Sequence, residues 1–252
     1  MVSLQSVCGW LDEFLGAAGQ TEYPRAYNGL QIQNAGEVRK VAAAVDASLG
    51  TLKMAVEEGA DLLLVHHGLF WSPIVPVVGV NYEKLKCALD HNLAVYSSHL
   101  PLDRHPTHGN NALLAQALGL EVEDRLLPYD GEEVGLLLRG PVEREELRRR
   151  LEKVVAPQAV TSILVGQSEC RRIGLCTGGA GGELALAAKA GIDTFITGEG
   201  PHHTFALAEE LGVNVFYAGH YATEVFGVRA LAEEVERVFG LPQVFLDRPS
   251  GL

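Results

Sequence analysis

The sequence predicts an α/β fold made of two successive β/α series, each a mostly parallel sheet covered by helices. Three observations carry this expectation. Short runs of Val, Leu, Ala and Ile alternate with stretches of helical period in both parts of the chain. The chain aligns with itself at an offset of 132 residues: Val41–Gly68 falls on Ile173–Gly200 without a gap, pairing Gly50 with Gly182, Gly59 with Gly191, Asp61 with Asp193 and Gly68 with Gly200. A length of 252 residues, 47% of them apolar, suffices for one large α/β domain or two small ones with a substantial core.

The elements follow in order. MVSLQSVCGWLDEFLG (1–16) reads as an amphipathic helix, because Asp12 and Glu13 interrupt its apolar stretch and no basic run precedes it; the same features argue against a signal peptide. VRKVAAAV (38–45), DLLLV (61–65) and LAVYSS (93–98) read as strands, with helices near 49–59, near 82–91 and after Gly109. Between Leu120 and Gly166 the pattern changes. EVGLLLRG is an extended segment there, and PVEREELRRRLEKVV a charged helix opened by Pro141. The second series comprises RRIGLCT (171–177), a helix near 182–190, DTFIT (193–197), a helix near 203–211, VNVFYA (213–218) and a last helix near 223–239. The two repeats are assigned to residues 1–125 and 126–252. A second offset, of 121 residues, pairs AVYSSHLPLD with VFYAGHYATE, so that His99 meets His220 and Asp103 meets Glu224.

Composition narrows the function classes. A formal charge of −12 opposes binding of duplex nucleic acid through phosphate neutralisation. No run approaches 18 apolar residues, so no helical membrane span is expected. Cys8, Cys87, Cys170 and Cys176 form no CxxC pair and are widely spread, which points to reduced thiols and a cytoplasmic location.

Five residues lie just beyond predicted strands, where open α/β sheets place their chemistry. His66 and His67 follow DLLLV; alternatively one caps the strand and the other is solvated. Asp103 lies in SSHLPLDRHP, where Pro101 and Pro106 hold the segment out of helix; it is a hard ligand or a turn residue. His220 sits on the loop before the last helix and Glu224 in that helix's first turn, either as ligands or as an unrelated His beside a helix-start Glu. Taken together, three imidazoles and two carboxylates, with no thiol, exceed what one tetrahedral structural zinc needs and suit a pair of divalent ions to which both repeats contribute. Zn, Mn, Fe, Ni and Mg all remain open.

Other positions carry weaker expectations. His99 is a substrate-facing group or a structural hydrogen-bonding residue. Glu199, His202 and His203 in TGEGPHH are acid–base or ligand-orienting candidates, or the start of a helix. Asn28 marks a turn, Asn110 and Asn111 cap a helix, and Arg148–Arg150 form a solvated face paired with Glu145 and Glu146. CTGGAGGE (176–183) lacks the Lys-Ser/Thr of a P-loop and reads as a strand-to-helix turn.

At these residues a resemblance becomes specific. YNGLQI (27–32), LLVHHGLFW (63–71), SSHLPLDRHPTHGNNALLAQALG (97–119) and TGEGPHHTFALAEELGVNVFYAGHYATE (197–224) resemble the NIF-three-like dinuclear metal-centre proteins, homologues of type 2 GTP cyclohydrolase I. The resemblance implies two intertwined α/β repeats with mixed sheets. Its metal ligands fall on His66, His67, Asp103, His220 and Glu224, and its assembly is a hexameric ring. It also implies water attack at C8 of the guanine of GTP with loss of formate, His203, Glu199 and His99 being the catalytic candidates. The large middle insertion of longer members is absent here. A two-metal phosphoester hydrolase and a non-enzymatic ring that binds single-stranded nucleic acid or a protein partner stand as alternatives.

Overall fold

A computed structural model of the chain describes residues 1–16, 22–24, 26–71 and 75–252. Its elements begin β1 (Val2–Ser3), α1 (Leu4–Leu15), β2 (Gly29–Ile32), β3 (Glu37–Val38), β4 (Val41–Asp46), α2 (Leu49–Glu57), β5 (Leu62–His67), α3 (Val80–Asp90), β6 (Ala94–Ser97), α4 (Leu100–Arg104) and α5 (Asn110–Leu118). They continue with β7 (Glu121–Tyr129), β8 (Glu132–Glu143), α6 (Arg144–Val154), β9 (Thr161–Ile163) and β10 (Glu169–Cys176). A 3₁₀ turn (Ala180–Glu183) leads into α7 (Leu184–Lys189), β11 (Thr194–Thr197), α8 (Thr204–Leu211), β12 (Asn214–Tyr217), α9 (His220–Phe239) and β13 (Gln243–Phe245).

The chain forms two compact units that interleave in sequence: Met1–Leu102 with Gly227–Arg248, and Asp103–Phe226 with Pro249–Leu252. Their limits differ from a division at residue 125, because the C-terminal strand β13 pairs with β4, setting Gln243 opposite Val41. The first unit's sheet runs β13-β4-β5-β6-β2, parallel except for β2. The second unit's sheet runs β7-β8-β10-β11-β12-β9, with β10, β11 and β12 parallel and the other pairings antiparallel. Each sheet therefore contains a parallel triplet, β4-β5-β6 or β10-β11-β12; parallel β13 and antiparallel β2 extend the first and antiparallel strands extend the second, the mixed α/β architecture expected.

The parallel strands read as unbroken apolar runs because both of their faces are covered. In β11, Phe195 packs with Leu184, Ala208 and Val215, whereas the next residue, Ile196, packs on the other face with Leu138, Leu175 and Phe216. The first unit repeats the arrangement with Leu52, Leu63, Val65, Leu93 and Val95 on one face.

Register gives the internal repeat physical content. Leu62 pairs with Ala94 in the first triplet and Thr194 with Asn214 in the second. The antiparallel edge strand matches as well, Gly29 opposite Ser97 and Thr161 opposite Tyr217. An offset of 132 thus relates the first members of these pairs, but the last strand is related by 120, not 121. The odd residue enters after the strand, at Gly219, whose positive φ of 91° and N–H bond to Gly198 O add one step before His220. Aligning the strands themselves at 121 would have turned every side chain to the wrong face.

Asp61 and Asp193 show why the repeat keeps an aspartate. Asp61 Oδ2 accepts from the backbone N–H of Arg39 and Lys40, and Asp193 Oδ2 from those of Arg171 and Arg172. Each clamps the start of its parallel strand to the neighbouring one. Burial resists ionisation of Asp61, but the Arg39 guanidinium and the two backbone donors outweigh it and hold the carboxyl below its usual range. A lowered pKa stabilises the fold above the unfolded-state value and is lost as pH falls through the folded-state value. Asp61→Ala is therefore expected to cost about 2 kcal/mol at pH 7, with a smaller difference from the parent near pH 3, in denaturant unfolding at the two pH values.

Several boundaries differ from expectation. Pro141 lies inside β8, and α6 starts later, at Arg144, where the Glu143 carboxylate accepts from Glu145 N and Glu146 N. The arginine run on α6 pairs with Glu145 and Glu146 as expected, Arg148 with Glu145 and Arg149 and Arg150 with Glu146, and Arg148 also pairs with Glu152 one turn on. Strand β7 was not anticipated, since its first five residues are exposed and charged or solvent-facing. Cys8, Cys170 and Cys176 are buried thiols and Cys87 is partly buried, all free of disulfides. Among the described residues no helix is long and apolar enough to cross a membrane.

Candidate functional site

In the first unit the ligand candidates sit at the C-terminal end of the parallel sheet. Strand β5 runs two residues further than expected and ends on His66 and His67, because Asp46 at the end of β4 pairs in register with His67. His66 is fully buried and His67 partly exposed, yet their ring centroids are only 4.7 Å apart. The Nδ1 of His66 lies 2.9 Å from Ser98 O, and the Nδ1 of His67 lies 2.8 Å from Asp46 Oδ1. A carbonyl oxygen can only accept, so Nδ1 of His66 carries a proton and donates it to Ser98 O, which leaves Nε2 as the nitrogen that could take a metal. His99, at the end of the next loop, brings a third imidazole to this group: one ring nitrogen from each of His66, His67 and His99 lies within 4.8 Å of the others.

Gly68 follows the pair for a steric reason. A Cβ there would stand 2.2 Å from the Gln31 amide, whose Oε1 accepts from Leu69 N and holds the turn after the histidines.

In the second unit Asp103 is helical. It lies in α4, whose Pro101 occupies the first turn, where a missing N–H costs nothing, so the prolines do not exclude helix here. Asp103 is buried, and its Oδ1 accepts from Asn110 Nδ2 at 2.8 Å and from Thr177 Oγ1 at 3.3 Å. Asn111 donates to Asp103 O and Val134 O and accepts from Thr177 N. The cap residue of α5 is Gly109, and both asparagines lie inside the helix, one and two positions after it.

His220 opens α9 and is not on the preceding loop. Thr223 N–H bonds to Gly219 O, an i to i−4 helical bond, so Glu224 falls one turn after His220 on the same face. His220 Nε2 is 3.2 Å from Glu224 Oε2, and its Nδ1 is 2.7 Å from Glu199 Oε1. Burial draws the imidazole pKa down, but the hydrogen bonds and charges of Glu224 and Glu199 prevail and raise it to about 9. The glycine run makes room for this pair. Gly178 has a positive φ of 72°, donates to Thr223 Oγ1, and would place a Cβ 2.2 Å from Glu224 Oε1. Burial raises the nearby Cys176 thiol, with Asp103 and Glu224 adding to the effect.

His202 and His203 are exposed, and His203 serves α8 through its backbone carbonyl, which accepts from Leu207 N. Glu199 is exposed and engaged with His220. Reading the sequence missed Asp46, Glu22, Asn110, Asn111 and Thr177 as orienting residues. Asp46 was within reach, because pairing VAAAV with DLLLV in parallel brings the residue after the first run beside the histidines. Asn28, expected to mark a turn, instead lies just before β2, and its side chain bridges Glu22 and His99 N.

Comparison with known proteins identifies the family and the fold. Residues 2–249 match the family described as Duf34/NIF3 (NGG1p interacting factor 3). A Deinococcus radiodurans protein named GTP cyclohydrolase 1 type 2 homolog is 43% identical over 248 residues, covering 96% of this chain and 92% of its own. The crystal structure of TTHA1606 from Thermus thermophilus superposes with a TM-score of 0.87 at 38% identity, over the full length of both chains. Reduced HcgD from Methanocaldococcus jannaschii gives a TM-score of 0.85 at 28% identity, covering 98% of each chain.

Proposed function

The chain belongs to the Duf34/NIF3 family, and from that premise we propose that it is a metal-dependent hydrolase acting on a nucleotide or related heterocycle, with two divalent ions held by His66, His67, Asp103, His220 and Glu224. The observation that carries this reading is the shared construction of three imidazoles. His66, His67 and His220 each engage a fixed oxygen through Nδ1, namely Ser98 O, Asp46 Oδ1 and Glu199 Oε1. Each ring is thereby oriented in the way proteins orient histidine ligands, and the second nitrogen of His220 faces the Glu224 carboxylate, its partner in the proposed ligand set. An oxygen and nitrogen donor set without thiolate accepts Zn, Mn, Fe, Ni or Mg.

Such ions supply Lewis acidity and activate water near neutral pH. The chain's own part is to orient and to move protons. Asn110 and Thr177 engage one oxygen of Asp103 and so direct the other. Glu199, exposed and bonded to His220, is the group assigned to take and return a proton, with His203 as its alternative.

The names of the relatives make GTP the first substrate to try. The metal-loaded protein is expected to release formate from GTP and to lose that activity with a chelator. Phosphate without formate would instead assign two-metal phosphoester hydrolysis. Asp46→Asn is expected to weaken metal binding about 10–100-fold without changing the fold, as measured by calorimetric titration. A cytoplasmic homohexameric ring completes the reading, and light scattering on the eluting protein tests it by a mass six times that of the chain.

A further inference from the structure

We infer that His99 is a third imidazole donor to the cation held by His66 and His67, and that Glu22 is its positioning residue; this rests on the metal-binding reading above. The three rings form a tight group, with His99 4.9 Å from His66 and 5.7 Å from His67 between centroids. One nitrogen of each lies within 4.8 Å of the others, a span that small side-chain rotations close onto a single ion.

The build of His99 is that of the ligand histidines beside it. Its Nδ1 lies 2.8 Å from Glu22 Oε1, as that of His67 lies on Asp46 and that of His66 on Ser98 O. Glu22 is itself fixed. Its Oε2 accepts from Asn28 Nδ2 at 2.6 Å and Leu100 N at 3.1 Å, and its Oε1 accepts from Tyr23 N at 2.5 Å. Asn28 Oδ1 accepts from His99 N, so both the backbone and the ring of His99 are set by one short segment. Trp71 packs edge-on against the ring at 4.8 Å. Glu22 and Trp71 thus orient the ring of His99, and one of its nitrogens falls in the group it shares with His66 and His67.

The donor set also names the class of metal. Three neutral imidazoles favour borderline ions such as Zn(II), Ni(II), Co(II) or Cu(II) over Mg(II) and Ca(II), which prefer oxygen. The full-length, metal-stripped protein is therefore expected to take up Zn(II) or Co(II) in a tenfold or greater excess of Mg(II).

The test compares the parent with His99→Gln and Glu22→Gln. In His99→Gln the Cu(II) electron paramagnetic resonance spectrum should lose one coupled nitrogen, and Zn(II) affinity should fall at least about tenfold. Glu22→Gln should keep the nitrogen count and weaken Zn(II) binding about 10–100-fold. In the unmodified chain, Zn(II) should move the ¹⁵N resonance of His99 Nε2 together with those of His66 and His67, a readout that survives if a variant fails to fold. A His99 resonance that stays in place, or an unchanged nitrogen count and affinity in folded His99→Gln, overturns the inference. Metal loss in His66→Ala with none of these changes at His99 would sink this inference alone, whereas full metal retention in His66→Ala would sink the metal-binding reading itself.

Discussion

In the His66→Ala and Glu224→Ala proteins, affinity for divalent metal is expected to fall about a hundredfold or more while the far-ultraviolet circular dichroism stays that of the parent. Both side chains are buried, His66 completely and Glu224 at 3% exposure, so each works at short range with little help from solvent. The two substitutions should differ in what they do to the metal-free protein. Removing His66 leaves a cavity beneath the sheet end and takes the Nδ1–H donor from Ser98 O, at a cost of about 1–3 kcal/mol. Removing Glu224 takes a carboxylate out of a buried region that also holds Asp103, which offsets the loss of its contact with His220. The diagnostic quantity is the metal-induced rise in Tm, which mass action ties to affinity and which should vanish in both. A parental rise in Tm in either variant would remove that residue from the ligand set.

Gly178→Ala is expected to have the second largest effect, on both stability and metal binding. Its φ of +72° costs an L residue about 1–2 kcal/mol, and the new methyl would overlap Glu224 Oε1 at 2.2 Å with His220 Nε2 next at 3.3 Å. The carboxylate is the movable partner, so it swings away, and the pair that should close on a cation no longer does. Gly182→Ala is the control: a Cβ there meets nothing within 4 Å and the backbone lies outside the left-handed region, so stability should change by no more than about 0.5 kcal/mol. Calorimetric metal titration with thermal unfolding of the two variants reads both effects. Equal behaviour of the two would show that the glycine run is only a turn.

Much of this architecture was legible because burial on both faces leaves a plain signature. DLLLV and DTFIT sit in the middle of their sheets and could not be read as anything but strands. The hairpin of β7 and β8 carried its own signal in Asp130-Gly131, both with positive φ as a type I′ turn requires, but the charged run EVEDR masked the first strand. The helical placement of Asp103 and His220 was not legible. A proline in the first turn and a glycine just before it are compatible with loop or helix alike, and only the backbone bonds that form in the fold decide. Asn110 and Asn111 were opaque for a related reason: an asparagine at a helix start has a local use, and its actual partners, Asp103 and Thr177, are recognisable only once β10 is in place beside α5. The His-x-x-x-carboxylate spacing was visible in both repeats, whereas its meaning in α9, one helical turn on one face, required the structure.

The pairing of β13 with β4 bears on how the protein is made. The N-terminal unit cannot finish its sheet while the ribosome is still adding the middle of the chain, since the strand that covers Val41, Ala42 and Ala43 is Gln243–Phe245. Until those residues emerge, the edge of β4 offers unpaired backbone groups to any neighbouring strand, including the nascent chains on the same message. Synthesis from the N-terminus therefore does not yield one finished unit followed by the other. Translation pauses near the end of the message should raise aggregation more than pauses near its middle, and a circular permutant that begins with α9 and β13 would relieve that exposure.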